Sequence, residues 1–149
     1  MISVLLVDAC DDSRELYVAV LQSLGFRVHA TANTDAACEL VSKADVLVTG
    51  LQVPGSFDGV ALIRWVRSHP TSHRMPIVVL TASADPSHEQ AARSAGCDVF
   101  LTKPCLPLDL ATEIRDAAMR RSGRTVMLKA KQDSRQHRSR PDLKPKRAG

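Results

Sequence analysis

Four short apolar runs in this sequence end in residues whose positions invite chemistry. Val4-Leu5-Leu6-Val7 ends in Asp8, Val46-Leu47-Val48-Thr49 in Gly50, Val79-Leu80 in Thr81, and Phe100-Leu101-Thr102 in Lys103. A carboxylate, a hydroxyl and an ammonium on one surface could together hold a metal ion or a phosphate group. Gly50 brings no side chain to that surface, and Ala9, next to Asp8, brings only a methyl. Cys10 and Cys105 follow two of the runs, so a redox pair is conceivable; inert, unpaired thiols are the plainer reading.

Such residues act together only if the chain carries them to one edge. From Ile2 to about Ser122, apolar runs alternate with segments of helical period. The runs are 2–7, 27–31, 45–49, 77–81 and 99–102; most are rich in Val, Leu or Ile without polar alternation, as strands covered on both faces should be. Between them, 13–24, 34–42, 59–69, 86–95 and 106–121 read as helices. Asp12-Ser13-Arg14-Glu15 has the form of a capping box, with Asp12 as the cap. Gly25 and Gly96 stand where left-handed helix ends belong. Five strand–helix repeats imply a single doubly wound α/β domain with a parallel sheet and right-handed crossovers. In that architecture ligands meet the carboxyl ends of the strands, where Asp8, Gly50, Thr81 and Lys103 fall.

A length of 149 residues suits one domain, predicted to span 1–121. No apolar run approaches the ~20 residues of a membrane span. The start, MISVLLVDACDD, lacks the basic region of a signal peptide. The four cysteines are scattered without a C-x-x-C pair, and no histidine lies at zinc-ligand spacing from one. A cytoplasmic, reduced protein without metal or cofactor is expected. Charge is unevenly spread. Residues 1–118 hold 9 Lys/Arg and 14 Asp/Glu, a net of −5, whereas residues 119–149 hold 11 and 2, a net of +9. Residues 122–149 are therefore predicted to be a disordered basic tail, open to an anionic partner.

Residues 2–118 resemble the receiver domain of response regulators in bacterial two-component signalling. Val4-Leu5-Leu6-Val7-Asp8 resembles its first strand, and Val53-Pro54-Gly55 with Asp58-Gly59 the loop after the third, here one residue longer. Val79-Leu80-Thr81-Ala82 resembles the switch-threonine strand, and Phe100-Leu101-Thr102-Lys103-Pro104 the switch aromatic and the lysine–proline turn. The resemblance implies a flavodoxin-like, CheY-like (βα)5 fold with strand order 2-1-3-4-5. It also implies a partner face drawn from Pro86–Ala95, Val99–Thr102 and Leu106–Arg121.

The departures are specific. In that family the third strand ends in the aspartate that attacks a phosphoryl donor, and the first ends in two acids, the second a magnesium ligand. Here those places are Gly50 and Ala9. Thr49 cannot substitute for the nucleophile, because adjacent strand residues point to opposite faces. The resemblance thus implies a degenerate phosphorylation pocket of Asp8, Ala9, Gly50, Thr81 and Lys103, in which Lys103 pairs with Asp8. Thr81 then reads as a hydrogen-bonded strand end, Phe100 as a core aromatic or a live switch, and Trp65 as packing. The expected function is non-enzymatic: a stand-alone, atypical receiver that binds a kinase, regulator or output protein without aspartyl phosphorylation. A regulator that meets nucleic acid or membrane through the tail is the alternative. A flavin carrier would need a phosphate-cradling loop, and Asp8-Ala9-Cys10-Asp11-Asp12 would repel phosphate. Partner identity, oligomeric state and any regulating ligand lie beyond these residues.

Overall fold

The computed structural model describes residues 1–121; the predicted basic tail, 122–149, lies outside the described residues. Five strands, β1 (Ser3–Val7), β2 (Arg27–Thr31), β3 (Val46–Thr49), β4 (Ile77–Thr81) and β5 (Val99–Thr102), alternate with five helices. The helices are α1 (Asp11–Ser23), α2 (Thr34–Leu40), α3 (Gly59–Ser68), α4 (Pro86–Ala95) and α5 (Pro107–Arg121). All strand pairs are parallel, in the order β2-β1-β3-β4-β5. This is the doubly wound sheet that the alternation predicts, with the CheY-like strand order.

Burial follows position in the sheet. β1, β3 and β4 are buried along their whole length, while β2 and β5, the edges, are half-exposed. Alternate residues feed two cores. Leu5, Val7, Leu47 and Val79 pack with Leu62, Ile63, Val66 and Ala92 of α3 and α4. Val4, Leu6, Val48 and Leu80 pack with Tyr17 and Leu21 of α1 and Leu110 and Ile114 of α5. Each fully buried aliphatic side chain contributes about 1.5–3 kcal/mol, so these central strands hold the site's floor in place.

Helix ends repay a closer look. Gly25 (φ 97°) follows α1, and Phe26 N donates to Leu21 O at 3.1 Å. Gly96 (φ 119°) closes α4, where its own amide and that of Cys97 reach Ala92 O. Both are the left-handed closures expected. The capping box at Asp12 is not formed. α1 begins two residues earlier than predicted, with Cys10 at the cap position and no capping side chain. Asp11 and Asp12 occupy the first turn, where carboxylates complement the helix dipole. The predicted 34–42 helix breaks into α2 and a 3-10 turn at Val41–Lys43.

Candidate functional site

At the carboxyl end of the sheet, Asp8 closes β1 and Lys103 follows β5. Lys103 Nζ donates to Asp8 Oδ2 at 2.9 Å, with the side chains 22% and 9% exposed. The second carboxylate oxygen, Oδ1, accepts from the Cys10 amide at 3.0 Å. Arg14, one turn into α1, donates to the backbone carbonyl of Asp8 at 2.7 Å and to Asp11 Oδ1 at 2.6 Å. The single buried acid of the pocket is therefore held through both oxygens, and its carbonyl is gripped by a second cation. The Asp8–Lys103 pairing is legible in the sequence; the role of Arg14 is not, because helical period does not show which first-turn side chain leans over the sheet.

Gly50 lies in the middle of this edge, between the ends of β1 and β4. Its amide donates to Val7 O at 2.9 Å. It does not use the positive φ found at Gly25, Gly55 and Gly96. A Cβ there would meet Val53 Cγ2 at 3.4 Å, Leu80 O at 3.6 Å and Val7 O at 3.9 Å, all ordinary contacts. Nothing in the backbone requires glycine at 50. Neighbouring Thr49 is fully buried and turns its hydroxyl to Gly50 O at 2.8 Å.

Gly59, at the start of α3, is the opposite case. A Cβ there would run into the carbonyl oxygen of Gly50 and come within 2.8 Å of Leu51 Cα. The loop between β3 and α3 is strapped to the start of α2. Thr34 N donates to Pro54 O at 3.0 Å, Thr34 Oγ1 to Phe57 O at 2.6 Å, and Ser56 N to Asp35 Oδ2 at 3.0 Å.

Thr81 closes β4, and its hydroxyl accepts from Ser83 N at 3.1 Å. The amide of Lys103 donates to Thr81 O at 2.7 Å. Phe100 is half-buried and packs on the α3–α4 side of the sheet. Tyr17 Oη donates to Cys105 O at 2.6 Å, tying α1 to the turn before α5. Burial, then the proximity of Cys105 and Asp8, pushes the Tyr17 phenol up. All four cysteines are free thiols. Burial, then Asp109 and Glu113, pushes Cys105 up as well, which opposes thiolate chemistry there.

Magnesium requires several oxygen ligands, carboxylates among them, in a near-octahedral set. Ala9 and Gly50 offer no side-chain oxygen, and both oxygens of Asp8 are engaged. These residues do not fit that ion. Among the described residues, no group of three or more His, Cys, Asp or Glu could hold a metal.

The family model for the response regulator receiver domain matches residues 4–115. The transcriptional regulatory protein GltR of Pseudomonas aeruginosa is 36% identical over 124 residues, covering 80% of this chain and 50% of GltR. The chain thus spans half the length of that curated relative. The chemotaxis response regulator CheY4 of Vibrio cholerae is similar in structure, with a TM-score of 0.71 and 25% identity over 78% of this chain and 98% of CheY4. So is the receiver domain of the sensor histidine kinase PA1611 of Pseudomonas aeruginosa PAO1, with a TM-score of 0.68 and 27% identity over 82% and 98%. That domain holds a magnesium ion in its active-site cleft.

Proposed function

Because this chain belongs to the response regulator receiver domain family of two-component signalling, we propose that it is a degenerate receiver, binding a signalling partner without aspartyl phosphorylation. One observation carries the reading. The β3 terminus, where the family places its phosphoacceptor, is Gly50, although a Cβ there would meet only ordinary contacts. Since neither a positive φ nor a close contact calls for glycine there, this supports reading position 50 as a missing reactive group and not as a turn. The remaining acid, Asp8, is neutralised by Lys103, which removes the charge that would draw a divalent ion.

The partner face we assign to Pro86–Ala95, Val99–Thr102 and Leu106–Arg121, with the kinase, regulator or output protein unspecified. Leu106 and Leu108 support this, being 68% and 63% exposed where α5 begins. Incubation of the full chain with a radiolabelled acyl phosphate or phosphoramidate and magnesium tests the proposal. No acid-labile label is expected; incorporation in the wild type would overturn it.

A second reading rests on the charge asymmetry of the sequence. Residues 119–149 carry 11 Lys/Arg against 2 Asp/Glu, and we assign any affinity for nucleic acid or anionic membrane to residues 122–149, as a segment separate from the 1–121 domain. No helix among the described residues is long and apolar enough to cross a membrane. Contact with ~6–10 phosphates makes binding fall by orders of magnitude from low to moderate salt. Equal binding by a chain ending at Arg121 would refute the assignment.

A further inference from the structure

Beside the pocket, the turn between β4 and α4 carries a hydroxyl–imidazole contact that the family reading leaves unused. Ser83 Oγ lies within hydrogen-bond distance of His88 Nδ1, on the first turn of α4. The same Ser83 is tied once to the strand end and once to the helix cap: its amide donates to Thr81 Oγ1 at 3.1 Å, and its hydroxyl accepts from Asp85 N at 3.3 Å. Asp85 in turn caps α4 through Ser87 N at 2.8 Å. The Ser83 hydroxyl therefore stands between the His88 imidazole and the Asp85 amide, while the Ser83 amide holds the threonine at the end of β4.

We propose that the protonation state of His88 sets the hydrogen-bond direction of Ser83, making the β4–α4 turn a proton-sensitive element. With neutral His88 protonated at Nε2, Nδ1 accepts the Ser83 hydroxyl proton. Once Nδ1 also carries a proton, it must donate to Ser83 Oγ. The Ser83 hydroxyl proton must then turn away from the imidazole to another acceptor, while Oγ still accepts from Asp85 N. One proton taken up at α4 thus reorganises the polar contacts of Ser83 in the β4–α4 turn, beside the Asp85 cap.

Charged groups stand around His88 on its own helix and on the elements packed against it. On its own helix, the carboxylates of Asp85 and Glu89 flank it; Glu89 is held by Arg93 at 3.0 Å, and Asp85 feels the imidazole's charge. α4 packs against α3 and β5. From α3 comes Arg67, committed to Gly96 O and Asp98 at the far end. From the end of β5 comes Lys103, committed to Asp8.

The test is a pH titration of the full chain from 5 to 8, following backbone amide and imidazole resonances by NMR. The amides of Ser83, Ala84 and Asp85 are expected to shift with the same midpoint as the His88 ring. His88→Gln, which keeps a hydrogen-bonding side chain but cannot titrate in this range, should abolish that shift. In Ser83→Ala, His88 should still titrate while the turn amides no longer follow it. Turn amides that do not titrate in the wild type overturn the proposal. So does an undiminished shift in Ser83→Ala, which would be the bare field of the imidazolium.

Discussion

Gly50 and Gly59 are the same residue type kept for unrelated reasons. Gly59→Ala drives a methyl into the Gly50 carbonyl, and overpacking against backbone costs about 1–3 kcal/mol or more. Gly50→Ala meets only ordinary contacts and should change stability by less than about 0.5 kcal/mol. Urea denaturation of the two variants checks the contrast; equal losses would show that Gly50 is structural after all. If the pocket is degenerate as proposed, restoring its chemistry takes more than one side chain. Gly50→Asp supplies a nucleophile whose carboxylate Lys103 can capture, and Ala9→Asp supplies a ligand with nothing to attack. Only the double substitution is expected to bind magnesium and accept phosphate slowly, since Asp8, Thr81 and Lys103 remain; groups that act as one unit respond non-additively. Magnesium titration of the three variants decides it, and a single variant matching the double would refute the argument. Cys97 gives a further expectation. Its burial pushes the thiol from an ordinary 9.0 up to about 12. Between those values the folded chain holds a proton that the unfolded chain has lost, so stability present below pH 9 declines as pH rises. The slope from this group is at most roughly 1.4 kcal/mol per pH unit. Denaturation between pH 8 and 11 should show a shallower decline for Cys97→Ala than for the wild type.

Elements were more legible than the contacts between them. All five strands fall within one residue of the apolar runs, and α4 coincides with its predicted span, because Asp85, Pro86 and Gly96 mark its ends with distinct backbone chemistry. The start of α1 misled because two rules shared the same letters: Asp-x-x-Glu fits a capping box, yet adjacent acids also suit a first turn. What the sequence could not display is the meeting of side chains with distant backbone. Arg67 donates to Gly96 O at 2.8 Å, Met75 O at 2.6 Å and His73 O at 3.0 Å, and pairs with Asp98 at 3.0 Å. It thereby closes the open end of α4 from α3, and no periodicity encodes that. The strap from Thr34 and Asp35 to the β3–α3 loop is hidden for the same reason, since its partners lie about twenty residues apart. In the candidate site, Asp8 and Lys103 were legible because the strand pattern places both at one edge. Arg14 and Tyr17 were not, since a helix's period does not say which residue of its first turns leans over the sheet.

At the scale of the whole molecule, the sheet is closed at its working edge by contacts between the two ends of the domain. Asp8 and Lys103 are 95 residues apart in sequence, and Tyr17 and Cys105 are 88 apart. The neighbouring β1–β2 and β1–β3 ladders join segments much closer along the chain. Bringing distant segments together costs chain entropy before any contact repays it. The Asp8–Lys103 pair is therefore expected to form after the folding barrier, once β1, β3 and β4 are already in register. Interactions absent from the transition state govern the rate of unfolding and leave the rate of folding unchanged. Lys103→Met should steepen nothing in the refolding limb of a denaturant chevron while raising the unfolding limb; a slowed refolding limb would place the pair in the nucleus. The expected outcome makes the Asp8–Lys103 ion pair a latch on the lifetime of the native state, one that would protect the chain from slow opening and from the proteases that exploit it.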